Sequence, residues 1–228
     1  MARQDESIAY FIGVLHTDGC ICTYRFRNKI RTRYILDVGK KSLPMLKRIR
    51  RIFQQRFGRI PKMRKKYHLN ENPTFLIEVN IMNLQRMFNN LKIDKVKIAP
   101  WIRFNSRFFG AYLAGVIDGD GDVRIKRPAY PQCEMRITAG KKQSLLIELI
   151  RYHLKCSCRL EEAIISTYSL PRAKSKFGIS YRHCFYLSSK NIAYFKKYVL
   201  PFITIKHKKE KLRRFIPISS SPQHAIPL

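Results

Sequence analysis

The sequence predicts an α+β protein built from two pseudo-twofold-related repeats, each running helix, strand, strand, helix, strand, strand, helix. Three observations predict it. The stretch AYFIGVLHTDG (9–19) is a degenerate copy of AYLAGVIDGDG (111–121). Gly13 falls on Gly115, Val14 on Val116, Asp18 on Asp120 and Gly19 on Gly121, at a constant offset of 120 − 18 = 102 residues. The segments that follow also correspond: GKKS (39–42) with GKKQS (140–144), and MNLQRMF (82–88) with KNIAYFKKY (190–198). Finally, the duplicated helix carries Ala9, Gly13, Ala111, Ala114 and Gly115, small residues that let two helices approach closely as a seam between repeats. Two copies of one unit in one chain imply pseudo-symmetry, with Asp18 and Asp120 close to its axis.

Taken in order, Ser7 is positioned to cap a helix ending near His16, in which Ile8, Phe11, Ile12 and Leu15 follow the helical period. ICTYRFR (21–27) and RTRYILDV (31–38) alternate as strands, with a turn at Asn28–Lys29. Ser42 to Phe57 reads as a helix stopped by Gly58. Residues 60–68 and 74–80 form a second hairpin around Asn70–Pro73, and Asn83 to Leu91 is helical. In the second repeat Ser106 caps the motif helix, 123–127 and 133–140 pair across Pro128–Pro131, and Ser144 to Leu154 is helical. Strands at 158–166 and 176–188 and a helix at Asn191–Tyr198 complete the repeat. The boundaries that follow are a first repeat at 1–97, a linker at 98–106 containing the helix-breaking Pro100, a second repeat at 107–216, and a Pro/Ser-rich tail at 217–228.

Charge points to the partner. Forty-six Lys+Arg against 15 Asp+Glu give a formal net charge of +31, which calls for a polyanion whose counterions the cationic side chains release. A membrane is not expected: no run of about 18 apolar residues exists to span one, and MARQDESIAYF lacks the pattern of a signal peptide. Six cysteines include two C-x-C pairs but no C-x2-C and no paired H-x3-5-H, so they read as reduced thiols in an intracellular protein rather than a zinc site.

At this point LAGVIDGDG (113–121) resembles the signature of the LAGLIDADG homing endonucleases, departing from it only at Val116 and Gly119, and FIGVLHTDG (11–19) resembles a weaker copy. Two copies about a hundred residues apart are similar to the single-chain, two-repeat members of that family. The resemblance implies a saddle of antiparallel sheets around a central two-helix seam. It also implies site-specific cleavage of double-stranded DNA by a monomer with divalent metal, taken as Mg2+, one phosphodiester per strand, leaving 5′ phosphates and 3′ hydroxyls. The place of action is at DNA, in the cytoplasm of a prokaryote or an organelle. Asp18 and Asp120 are the expected catalytic acids and metal ligands, since paired carboxylates repel one another and the phosphate unless a hard cation intervenes. The main-chain carbonyls of Thr17 and Gly119 are further ligands by resemblance. Lys206, in PFITIKHKK (201–209), takes the place of a family lysine near the active site; of two candidates for its counterpart in the first repeat, Lys97 fits best and Lys95 is the alternative. Lys40 and Lys141 match a position that orders solvent. Asp118 has no carboxylate equivalent, because His16 stands at that position of the first copy.

Strand alternation supplies a DNA surface. Thr23, Arg25 and Arg27 share one face; so do Lys62, Arg64 and Lys66; so do Arg124 and Lys126. Glu134, Arg136 and Thr138 oppose Cys133, Met135 and Ile137. With Arg33, Lys40, Lys141 and Arg182, these cations are the expected contacts to phosphates and base edges. The alternatives on the same scaffold are an RNA maturase and a DNA-binding protein that does not cleave; retention of both acids argues against them.

Overall fold

The structure, a computed structural model, describes residues 4–68, 71–80, 88–91, 97–126, 132–140, 165–170, 180–187 and 189–215. The first helix, α1 (Glu6–Thr17), starts one residue after Asp5, whose carboxylate accepts from the Ile8 backbone N–H at 3.0 Å. Asp5, and not Ser7, is the cap: its acid satisfies an orphan N–H and complements the positive end of the helix. α1 passes directly into β1 (Gly19–Phe26), which pairs with β2 (Lys29–Gly39) across the two-residue turn Arg27–Asn28. Both turn residues are left-handed, at φ 46° and 59°, the geometry whose twist matches the flanking strands. The turn therefore lies one residue earlier than the sequence suggested. After a short 3₁₀ turn, α2 (Leu43–Phe57) runs to Gly58, which at φ 62° returns its N–H to the Gln54 carbonyl. β3 (Met63–His68) and β4 (Glu71–Asn80) complete an antiparallel sheet of order β1-β2-β4-β3.

The second repeat follows the same plan. A short helix, α3 (Pro100–Arg103), lies in the expected linker. The motif helix α4 (Ser106–Asp118) is capped by Asn105, whose side chain accepts from Arg107 and Phe108 N–H at 3.0 and 3.1 Å, so the cap again precedes the expected serine. β5 (Gly121–Lys126), β6 (Gln132–Gly140), β7 (Ile165–Leu170) and β8 (Ser180–Leu187) form a sheet of order β5-β6-β8-β7, which repeats the first strand for strand. α5 (Ser189–Tyr194) continues through a π turn to Val199 and a 3₁₀ turn at Leu200–Phe202. A last helix, α6 (Lys206–Phe215), was not anticipated; its Lys/Arg density hid the buried positions Lys208 and Leu212. The expected helix at 144–154, the start of the strand at 158–164 and the tail lie outside the described residues.

α1 and α4 pack against one another along the duplicated motif, more extensively than any other pair of helices among the described residues. A methyl group on Gly13 would overlap the Tyr112 carbonyl oxygen and lie 3.0 Å from the Val116 nitrogen; one on Gly115 would overlap the Tyr10 carbonyl and lie 3.0 Å from the Val14 nitrogen. The two helices thus touch backbone to backbone, each glycine facing the other repeat. Phe11 on α1 meets Tyr34 of β2 and Phe53 of α2 edge-on, at 5.2 and 5.3 Å between ring centres, fixing the seam helix to its own sheet and to α2. One continuous core joins both repeats.

Candidate active site and nucleic-acid interface

The seam determines where the acids lie. α1 ends at Asp18, whose N–H closes on Val14 O at 3.0 Å, and α4 ends at Gly119, whose N–H closes on Gly115 O at 3.0 Å. Each chain then turns straight into its first strand. A side chain on Gly19 would meet the Leu15 Cα at 2.7 Å, and one on Gly121 would meet the Ile117 carbonyl oxygen at 2.6 Å, so glycine is what allows the strand to leave across the last helical turn. Because both turns follow helices packed at their glycines, the Asp18 and Asp120 carboxyls come within hydrogen-bonding reach of each other. Burial and the neighbouring Asp120 charge push the Asp18 carboxyl up to about 7. Burial raises Asp120 as well, against a bond from Asp18 and the positive charge of Lys208. As a tightly coupled pair, they hold a proton far above the usual carboxylate range.

The mismatched position of the motif has a structural role. Asp118 is fully buried, and its carboxylate accepts from the Tyr10 hydroxyl at 2.6 Å, the Thr204 N–H at 2.8 Å, the Thr204 hydroxyl at 2.6 Å and the Ile205 N–H at 3.2 Å. Its equivalent, His16, is also buried and bonds through Nδ1 to the Tyr112 hydroxyl at 2.9 Å. Tyr10 and Tyr112 are themselves separated by 112 − 10 = 102 residues. Each repeat therefore sends a tyrosine across the seam to the motif's polar residue in the other repeat. A carboxylate and an imidazole can each hydrogen-bond a tyrosine hydroxyl, which explains why the position tolerates both. The tyrosine pair was legible in the sequence at the same offset as the glycines.

The cation beside the acids is Lys208. Its side chain is buried in the second repeat, and the ammonium donates to the carbonyls of Ile117, Asp118 and Gly119 at 2.8, 2.8 and 3.1 Å. All three of its donors are thus spent on the C-terminal end of α4, where a cation also complements the helix dipole. Lys206 stands two residues earlier with its side chain 88% exposed and Glu210 at 3.9 Å, whereas it is the charge of Lys208 that acts on both Asp18 and Asp120. Lys97 and Lys40 are exposed, and Lys141 lies outside the described residues. Thr17 closes α1 by donating its hydroxyl to the Gly13 and Val14 carbonyls, both at 3.2 Å. The Gly119 carbonyl, expected to face metal, accepts from Lys208 on one lone pair, leaving the other. Lys208→Met is expected to cost about 2 kcal/mol of stability by stranding the α4 carbonyls, with Lys208→Arg recovering part of it; thermal unfolding of the purified variants checks this.

Register shows which strand residues share the open side. Tyr34, Leu36, Ile77 and Val79 are buried against the helices, so their neighbours in register, Cys22, Tyr24, Arg31, Arg33, Glu78, Asn80, Arg64 and Lys66, occupy the opposite face. Arg25 is a correction: it shares the helix side of β1 with Ile21 and Thr23, exposed only because it pairs with Ile30 (73% exposed) where the sheet overruns the helices. Arg27 sits in the turn, its guanidinium 5.3 Å from the Phe26 ring centre. Lys62 is exposed just before β3. In the second sheet Arg124, Lys126 and Arg136 share the open face, and the backbone of Arg182 on β8 pairs with that of Thr138 on β6. The faces are not purely cationic. Glu78 holds Arg33 at 3.0 Å, Asp37 approaches Lys66 at 3.7 Å, and the buried Glu134 holds Lys126 and Arg136, each at 2.8 Å. These acids fix the direction of long cationic side chains before any polyanion arrives, which lowers the ordering cost of binding.

The donor set at the seam fits a hard divalent ion: two oxygen ligands whose raised proton affinity marks uncompensated negative charge. Among the described residues no group of three or more His, Cys, Asp or Glu side chains gathers around one point. No helix among the described residues is long and apolar enough to cross a membrane.

Sequence comparison finds no matching protein-family model and no curated relative. Structure comparison does. The fold is similar to that of mesophilic variants of the homing endonuclease I-DmoI (TM-score 0.54, 16% identity, 86% of this chain and 89% of that one). It is similar to the homing endonuclease I-WcaI bound to its DNA recognition sequence (TM-score 0.54, 15% identity, 93% and 88%). It is also similar to the LAGLIDADG meganuclease I-AabMI bound to uncleaved DNA (TM-score 0.51, 11% identity, 93% and 89%). A variant of I-DmoI has further been solved with its target DNA in the presence of Mg, and I-DmoI with DNA and Mn. Two glycine-seamed motif helices, two strand-for-strand equivalent sheets and this likeness over most of the chain give the protein the fold of the LAGLIDADG homing endonucleases.

Proposed function

We propose that the chain is a site-specific double-strand DNA endonuclease that hydrolyses one phosphodiester per strand with a divalent metal, Mg2+ for preference. The observation that carries this reading is the meeting of Asp18 and Asp120, one from each repeat, at the point where both sheets begin. A single acid would serve one strand. Two acids related by the same pseudo-twofold as the sheets match the local symmetry of duplex DNA. Asp18 and Asp120 hold and orient, and Lys208 keeps the turn before Asp120 in place while offsetting part of the acids' charge. Lys206, in its exposed position, and Lys97 are assigned to the phosphate backbone rather than to the acids. A divalent ion bound at the pair supplies neutralising charge at the scissile phosphate and acidifies water. The open faces, with Arg33, Arg64, Lys66, Arg124, Lys126 and Arg136, lie along the duplex, and Arg182 is a further contact. Thr17 and Gly119 offer main-chain oxygens at the same place. One chain supplies both halves, so the active form is a monomer acting wherever its DNA target resides.

The test is digestion of a DNA carrying the uninterrupted form of the locus that houses the gene. With Mg2+ the wild-type protein is expected to give a double-strand break with 5′ phosphates and 3′ hydroxyls, and EDTA is expected to abolish it. Folded protein that binds this DNA but leaves it intact across a range of divalent ions and temperatures overturns the enzyme reading in favour of a non-cleaving binder. Preferential binding of RNA transcribed from that locus instead points to a maturase.

A further inference from the structure

Two thiols stand beside the acids with no role in the chemistry above. Cys20 and Cys22 occupy alternate positions of β1, on the open face, beginning two residues after Asp18. Their sulfurs are 3.3 Å apart, Cys20 is exposed and Cys22 partly so. Two residues along a strand separate the backbones by about 6.6 Å, at the upper edge of what a disulfide spans, so a bridge there is strained and readily reduced. Cys22 pairs in register with Arg33 on β2. Cys133 provides the contrast: it faces the core, and burial pushes its thiol up to about 12.

We propose that Cys20 and Cys22 form a redox-modifiable dithiol, closed by hydroperoxides and reopened by thiols, that governs access of DNA to the Asp18 side of the site. One thiolate attacks the peroxide's outer oxygen, breaking the O–O bond and releasing an alcohol or water as a sulfenic acid forms. The second thiol attacks that sulfur, the S–S bond forms and water leaves. Two sulfurs lose one electron each, and the peroxide takes up both. Closing the bridge draws the first residues of β1 together, displacing the Asp18–Gly19 turn and the cations across the strand. A misplacement of about 1 Å is enough to cost an enzyme up to a hundredfold.

The inhibitory half rests on the nuclease reading, whereas bridge formation does not, so the experiment separates them. Purified protein is treated with hydrogen peroxide, alkylated and digested, and the peptide holding Cys20 and Cys22 is weighed. The expected result is loss of two hydrogens with neither thiol alkylated, reversed by dithiothreitol. Where target cleavage is established, it should fall about tenfold or more on oxidation and return on reduction. Cys20→Ser and Cys22→Ser should cleave as wild type does and resist peroxide. Two alkylated thiols after peroxide, a bridged protein that cleaves undiminished, or serine variants that remain peroxide-sensitive would each overturn the proposal.

Discussion

Gly115→Ala is expected to destabilise the protein by about 3 kcal/mol or more, the upper range for overpacking a tight interior. The added methyl has nowhere to go, because what it meets is backbone: the Tyr10 carbonyl and, at 3.0 Å, the Val14 nitrogen. A side chain could rotate away from such a clash, but two helix backbones can only move apart. Separation would loosen the Tyr10–Asp118 and Tyr112–His16 bonds that span the same seam. It would also change the spacing of Asp18 and Asp120, so cleavage should be lost beyond what unfolding explains. Gly13→Ala should behave alike, since its environment is the mirror of the first. Gly39→Ala is the control: no atom lies within 4 Å of the added carbon, and its effect should stay within about 0.5 kcal/mol. Denaturant midpoints of the three variants measure this, and a Gly115→Ala protein as stable as wild type would show that the helices are not in backbone contact.

What could be read in the sequence was whatever the duplication repeated. The glycines, the Asp-Gly turns and the order of elements recur at a fixed offset, and recurrence separates a structural requirement from chance composition. The caps were placed wrongly by one or two residues in both repeats, at Ser7 for Asp5 and at Ser106 for Asn105, because several residues near each helix start can accept from an orphan N–H and only the backbone path selects among them. Lys208 was missed for a different reason. It stands in a run of cations, KHKKEKLRR, where nothing local distinguishes the buried one from its exposed neighbours. The helical period of α6 decides it, turning Lys208 and Leu212 inward at a spacing of one turn and leaving Lys206 in solvent. Arg25 was assigned to the open face because cations alternate along β1. The strand's core face, however, is defined by Ile21 and by Tyr34 across the ladder, and it simply becomes cationic beyond the edge of the helices. Glu134 could be seen as a polar residue on the cationic side of β6, but its burial between Lys126 and Arg136 depends on a strand pairing that alternation alone does not specify.

Asp18→Asn should raise the stability of the metal-free protein while removing its cleavage activity. The Asp18 carboxyl is held up to about 7 by burial and by Asp120, whereas an unfolded chain titrates it near the ordinary value of about 3.9. A carboxyl raised by folding binds its proton more tightly in the native state. Its contribution is fully present below about pH 4 and is lost as pH rises through 7. Above that, wild type carries two charges that repel one another in a half-buried site, and asparagine removes one of them. The variant should therefore be more stable than wild type by about 1–3 kcal/mol at pH 8, allowing for solvent near the pair, with the gap closing towards pH 4. Added Mg2+ should reverse the order, since binding to the native state stabilises wild type by mass action and the variant has lost a charged ligand. On a plasmid bearing the target, cleavage should fall about a thousandfold or more, the equivalent of several kcal/mol of transition-state stabilisation. Any residual product should be nicked rather than linear if the intact Asp120 still serves its own strand. Thermal melts with and without Mg2+ at pH 5 and pH 8 test the electrostatic half. A variant less stable than wild type at pH 8 without metal would mean that the pair is compensated by something other than a cation, and Asp18 would then be a structural acid like Asp118.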